Sequence, residues 1–390
     1  MAHCGRTQLA DIFRLHGQDY LATHALARSQ AKAWRAIVSC RTPALGGHVD
    51  RCDACGTTRH VYHSCRNRHC PRCQTRAKEQ WIAARHRELL PVPYTHLVFT
   101  LPHALNNLAS HHFRAITDLL FASAAQTLSA FGANPRWLGG KLAFSLVLHT
   151  WSQNLMRHLH VHALVASGAL TDDGRWACSR RGFLFPVKAL SKVFRAKFIA
   201  ALGQAREAGR LQRHGGIDDN AWQQLLRALY RHDWVVYAKQ PLGGPAQVLD
   251  YLARYTHRVA ISNERLASMA DGIVSFRVRD NANAGKKRIE RLPAQQFIGR
   301  FLLHVLAPGF KRIRHYGILA GVHKHQQLAL CRQALEAPEP DTAVIEAVEA
   351  FFQRVTGQEL AFCPHCGQPT MRLMEVVAPS RWRACATGPP

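Results

Sequence analysis

Acidic side chains are scarce in this chain. Only 25 Asp and Glu stand against 51 Lys and Arg, giving a formal net charge of +26 and a pI near 10.3. Such a surplus repels itself in a compact chain unless a polyanion relieves it, and nucleic acid relieves it through phosphate contacts and counterion release. Long apolar runs are missing too. No stretch approaches 18 apolar residues, so no membrane span and no membrane partner are expected. The opening segment MAHCGRTQLADIF has no apolar h-region, so a secretory leader is not expected and a cytoplasmic, nucleoid-associated location is. A phosphate-binding loop is absent as well: GGKL at 139–142 lacks the upstream glycine and the following Ser or Thr.

Cysteine, by contrast, is plentiful. Twelve cysteines in a chain without a leader read as thiols, and CxxC pairs among them as metal knuckles rather than disulfides. Cys52-x-x-Cys55 and Cys70-x-x-Cys73 are separated by 14 residues, a spacing suited to one closed tetrahedral structural zinc site. Redox pairs seldom come as two matched knuckles, which favours zinc. Cys40, His48, Cys65 and His69 surround the pair and form a candidate second site. The late CPHCG, with Cys363 and Cys366, is half a knuckle that Cys331 or Cys385 would complete.

The apolar periodicity divides the chain in three. Residues 1–91 read as helices flanking the Cys/His region, with the prolines of PVPY stopping the second helix. Residues 92–290 mix strands (96–102, 141–151, 160–170, 233–239 and 272–280) with helices (112–131, 187–208, 218–231 and 245–257). Short turns between neighbouring strands indicate an α+β domain on an antiparallel sheet. Residues 291–390 read as a basic helical region ending in the CPHCG knuckle.

Chemistry is concentrated in two motifs. In RHLHVHALV, strand alternation puts His160 and His162 on one face, with His158 nearby, while Val161, Ala163 and Val165 face a core. Two neutral imidazoles suit a divalent metal such as Mn²⁺, with Mg²⁺ accessible when phosphate oxygens complete the shell. A further ligand is needed, and His149 and Gln153 are the candidates. Downstream, helical spacing stacks Tyr251 and Tyr255 on one face, flanked by Arg254 and Arg258 as phosphate ligands. A phenol with a pKa of about 10 is a poor nucleophile near neutrality, so it needs a metal-polarised phosphate and a nearby base. Together the motifs point to an enzyme that cuts and rejoins DNA.

HLHVHALV followed by YLARYTHR resembles the HUH superfamily, in which two histidines flank an apolar residue, here Val161. The likeness is to the two-tyrosine rolling-circle transposases of the IS91 type. CRTPALGGH, SCRNRHCPRCQ, LVFTLPH, HTWSQNL and FLLHVLAPGFKRIRHYG follow the order that family shows. Leu159 stands where the family usually has proline, a departure that leaves the two later histidines untouched. The resemblance implies an HUH-type antiparallel sheet with packed helices, preceded by a small zinc-binding domain and followed by a basic helical region. It also implies single-strand cleavage at transposon ends, leaving a 5′-phosphotyrosine and a free 3′-hydroxyl. His160 and His162 would bind Mg²⁺ or Mn²⁺, Tyr251 and Tyr255 would attack, and host helicase and replication proteins would assist.

DNA contacts are expected from Arg66, Arg68, Arg72, Arg76 and Lys78 in the cysteine region and from Lys311, Arg312, Arg314 and His315 in KRIRH. Two other readings compete. A replication initiator or relaxase would share the chemistry and differ in its DNA target. A non-catalytic zinc-dependent DNA-binding regulator would bury the same tyrosines and histidines in its core. A carboxylate-triad mechanism is disfavoured by the shortage of acidic residues.

Overall fold

Runs such as KLAFSLVLHTW and HVHALVASGAL are largely apolar, as strands buried on both faces are, and both become long strands in the computed structural model. The structure describes residues 7–179, 184–212, 217–242, 248, 259–280, 286–340 and 346–380. In chain order the strands are β1 (Gly47–Cys52), β2 (Thr58–Tyr62), β3 (Tyr94–Thr100), β4 (Gly140–Trp151), β5 (Arg157–Thr171) and β6 (Trp176–Cys178). They continue with β7 (Val236–Leu242), β8 (Leu266–Ala270), β9 (Ile273–Asp280), β10 (Lys286–Pro293), β11 (Ile313–Gly317) and β12 (Met371–Val377).

Two compact units emerge, each from separate segments of the chain. One comprises residues 1–80, 257–308 and 344–390; the other comprises 81–256 and 309–343. These do not follow the three consecutive segments expected from the sequence, for reasons visible in the pairing. β12 is hydrogen-bonded to β1, joining residues near the two ends of the chain in one three-stranded sheet of order β12-β1-β2. The helix Ala294–Leu302 packs Phe301 edge-on against Phe13, with ring centroids 5.5 Å apart, and Phe13 in turn meets Trp34 at 4.6 Å. A second three-stranded sheet, β10-β9-β8, belongs to this unit.

The other unit is built on an antiparallel sheet of order β11-β4-β5-β3-β7, with β6 added to β5. One face is covered by the helices Phe113–Ala133, Val187–Glu207 and Asp219–Arg231, and the core between them holds Phe99, Phe144, Leu146, Val161, Ala163 and Val165. The period-2 alternation that sends those residues inward turns their neighbours to the opposite face. That second face carries Tyr94, Ala143, Leu164 and Ala166 in a smaller cluster with Val248, Leu328 and Cys331. It also carries the histidines.

Candidate active site

β5 lies between β4 and β3, so its side chains have neighbours on both flanks. His160 stands opposite His149 on β4 and Thr100 on β3, and His162 stands opposite Val147 and Val98. The His149 ring lies 4.3 Å from that of His162 and 5.4 Å from that of His160, centroid to centroid, while His160 and His162 are 5.0 Å apart. One nitrogen of each of the three comes within 4.8 Å of the others. His149 was one of the two side chains considered for the third ligand. The other, Gln153, belongs to the turn between β4 and β5, which is closed by the bond from the Ser152 N–H to the Met156 carbonyl.

Hydrogen bonds fix the orientation of these rings. Nδ1 of His160 lies 2.9 Å from the carbonyl oxygen of His158. A carbonyl only accepts, so Nδ1 carries the hydrogen and Nε2 is the unprotonated nitrogen, the one able to ligate a metal. Nδ1 of His162 lies 2.9 Å from Nε2 of His96 on β3. Burial, reinforced by the charge of Lys239, lowers the His96 pKa to about 4, so this ring is neutral at pH 7. His149 is itself buried and stacks on Trp151 at 4.6 Å. His158 does not join the trio. Three residues of β5 span two of β4 at this point, a bulge-like irregularity, and the His158 ring sits 5.3 Å from that of His103. The trio fits a divalent ion: three neutral donors converge without a carboxylate, so the full charge of the ion would remain available to phosphate oxygens.

Tyr251, Tyr255, Arg254 and Arg258 lie outside the described residues.

The cysteines converge differently from the expectation. Cys70 and Cys73 group with Cys40 and Cys65, whereas Cys52 and Cys55 group with Cys363 and Cys366. The two knuckles that seemed to form one site therefore belong to two clusters, because β1 carries Cys52 toward β12 rather than toward the Cys70 turn. In the first cluster the Cys73 sulfur is 3.4 Å from that of Cys40 and 3.6 Å from that of Cys65. Sulfurs about 2.3 Å from a tetrahedral zinc lie roughly 3.8 Å apart, and a disulfide would need about 2.05 Å. The cluster fits zinc. Neither histidine of the supposed second site takes part. Nε2 of His69 accepts the Leu306 N–H at 3.2 Å, and His48 faces Asp50 at 3.7 Å.

Several expected DNA-contacting arginines are engaged within the chain. Arg72 donates to the Cys40 carbonyl at 3.1 Å and so braces the first cluster, and Arg68 donates to the Ala307 carbonyl at 2.6 Å. Arg314 pairs with Asp118 at 2.5 Å and lies over the Phe121 ring at 4.0 Å, on the helix-covered face of the sheet and away from the histidines. Arg66 and Lys311 are exposed. A basic surface that the sequence reading passed over lies on β9 and β10. Their register puts Arg277, Arg279, Lys287 and Arg291 on one exposed face, while Val274, Phe276, Val278 and Leu292 fill the other. The same alternation runs through FRVRD and KKRIERL in the sequence.

Comparison with known proteins adds to this geometry. Residues 143–327 match a family described as a putative transposase, and residues 12–101 match a transposase zinc-binding domain. The second match spans all four cysteines of the first cluster, so a structural zinc belongs to this part of the chain. The chain is 43% identical over 385 residues to the putative transposase y4qJ of Sinorhizobium fredii (strain NBRC 101917 / NGR234), covering 96% of each. It is also 28% identical over 312 residues to the transposase for insertion sequence element IS801 of Pseudomonas savastanoi pv. phaseolicola, covering 78% of this chain and 73% of that one.

Proposed function

Because the chain belongs to the IS91-type transposases with an N-terminal zinc-binding domain, we propose that it nicks and rejoins single DNA strands at the element's ends through 5′-phosphotyrosine links. His149, His160 and His162 would hold the catalytic ion, and Tyr251 and Tyr255 would attack the scissile phosphate in turn. Mg²⁺ or Mn²⁺ at the three imidazoles would polarise that phosphate. An all-nitrogen set favours Mn²⁺ over Mg²⁺. His158 would support the role of His160 by holding its Nδ1 hydrogen; if His162 offers Nε2 to the ion, its Nδ1 carries the hydrogen and His96 Nε2 accepts it.

The observation that carries this reading is the position of Val248. It is fully buried beside Leu164 and Ala166, which share the face of β5 with His160 and His162. Tyr251 follows three residues later, within about 11 Å of chain reach, and Leu164 is only about 7 Å along the strand from His162. That anchor supports the phenols sharing a face with the imidazoles. Two nucleophiles also make chemical sense: one tyrosine keeps the first cut end while the other opens a second strand, so bond energy is conserved and no nucleotide hydrolysis is needed for joining. The enzyme would act in the cytoplasm at the nucleoid, with host helicase separating the strands.

The direct test is a denaturing gel of protein mixed with single-stranded oligonucleotides from both strands of the element's ends, with and without Mn²⁺. A metal-dependent covalent adduct is expected on one strand. Failure to find one on either strand would end the proposal.

Two further outcomes follow from this reading. His96→Phe keeps the volume of the ring but removes the acceptor for His162, and an outer-sphere loss of this kind weakens metal binding by about 10–100-fold. Titration of Mn²⁺ into the full chain would read that shift, and unchanged affinity would show that His96 is mere packing. The exposed face of β9–β10 is assigned to the DNA backbone. Lys287→Gln with Arg291→Gln is expected to reduce the slope of log Kobs against log salt by about 1.5, two phosphate contacts at roughly 0.7–0.9 each. A slope equal to that of the unaltered protein would remove the hairpin from the interface.

A further inference from the structure

The sulfurs of Cys52, Cys55, Cys363 and Cys366 meet although Cys52 and Cys366 are 314 residues apart in sequence. Cys52 lies 3.6 Å from Cys366 and Cys55 lies 3.7 Å from Cys363, sulfur to sulfur. Both distances are close to the roughly 3.8 Å edge of a zinc tetrathiolate and far beyond a disulfide of about 2.05 Å.

The two halves are copies of one turn. Each reads Cys-x-x-Cys-Gly, and Gly56 and Gly367 share a left-handed φ of +70° that a side chain rarely adopts. The Gly56 N–H donates to the Cys52 carbonyl at 2.9 Å, and the Gly367 N–H donates to the Cys363 carbonyl at 3.0 Å. The Cys52 N–H bonds the Thr57 carbonyl and the Cys363 N–H bonds that of Gln368, at 2.9 and 2.8 Å. Between the turns, the Asp53 N–H donates to the Thr370 carbonyl at 3.0 Å, and the Thr370 hydroxyl lies 3.1 Å from the Cys52 sulfur.

The sheet that carries these turns is held by its ladders and by ion pairs such as Arg59–Asp50 and Arg372–Asp53, and it buries little apolar surface. On β12, Leu373, Met374 and Val376 are 61%, 57% and 72% exposed, and β2 has no buried residue. Three short strands that bury so little apolar surface need a staple of another kind.

We propose that Cys52, Cys55, Cys363 and Cys366 hold a second structural zinc, completing a zinc ribbon whose two knuckles come from opposite halves of the chain. The site lies partly outside the matched zinc-binding domain, which ends at residue 101. Its role is to fasten β12 to β1.

Metal analysis of the purified full chain is the test, in a His160→Ala/His162→Ala background that removes the histidine site, with two zinc ions per chain expected. Cys363→Ser with Cys366→Ser should retain one, held by the first cluster, and should expose residues 346–380 to limited proteolysis. Cys65→Ser with Cys73→Ser should retain the other. Thr370→Val leaves the sulfurs in place and is expected to speed chelator-driven release of one zinc by about tenfold. Should a serine variant fail to fold, titration of the unaltered chain with Co²⁺ answers instead, and two equivalents with tetrathiolate charge-transfer bands are expected. One zinc in that background, one tetrathiolate cobalt in the unaltered chain, or two zincs in the Cys363/Cys366 variant would overturn the proposal.

Discussion

Tyr251→Phe combined with Tyr255→Phe is expected to abolish the covalent protein–DNA adduct, while each single change leaves partial cleavage. The reason lies in what the substitution removes. Phenylalanine keeps the ring and its packing but lacks the oxygen that forms the bond to phosphorus, so no weaker version of the reaction remains. With a phenol pKa of about 10, only roughly 0.1% of free tyrosine is ionised at pH 7. On the proposed mechanism, attack would therefore need a polarised phosphate and the arginines Arg254 and Arg258 that flank the pair in sequence. The single variants divide the work: one tyrosine still cuts, but the second strand cannot be captured, so cleavage outlives joining. The readout is adduct on a denaturing gel beside joined product on a sequencing gel. An adduct formed by the double variant would transfer the chemistry to another residue.

His160→Ala and His162→Ala are each expected to lower metal-dependent cleavage by about a thousandfold or more, the scale of a lost charge-stabilising group at a reacting centre, while DNA affinity changes by less than about twofold. Binding should survive because it would rest on a +26 chain meeting phosphates over a wide surface, whereas the proposed cleavage would rest on three imidazoles with nitrogens within 4.8 Å. The same experiment separates the two candidates for the third ligand. His149→Gln preserves bulk against Trp151 and should match the effect of His160→Ala, and Gln153→Ala on the connecting turn should cost less than tenfold. Full loss with Gln153→Ala and none with His149→Gln would reverse that assignment. Adding excess Mn²⁺ should partly restore the His149→Gln variant, since a weakened site fills by mass action.

Some of this site was legible from residue order alone. The alternation in HLHVHALV defines which face His160 and His162 share, because a strand has a period of two whatever its neighbours are. His149 was reachable only as one of two options, since strand register decides what lies opposite His160, and register depends on the turn and bulge at residues 152–160. His96 gave no signal at all. A histidine in an apolar strand reads as core until pairing shows it beside His162. The cysteine knuckles were recognised as metal turns, but their partners were misjudged, because proximity in sequence was used where β-pairing between distant segments decides. Arg314 was read as a phosphate contact from its basic neighbourhood, but one-residue alternation within β11 sends it to Asp118 and Phe121, while His315 turns to Ser145 at 2.7 Å.

The central position of β1 in its small sheet governs how this protein can be dissected. A fragment cut to residues 12–101 keeps β1 and β2 but discards β12, stripping the backbone partners from one whole side of Gly47–Cys52. That bare edge would invite pairing with another copy, so such fragments should be prone to self-association. Recombinant work on the zinc-binding half would do better to splice β12 and its CPHCG turn back on than to trim the gene at its apparent module border.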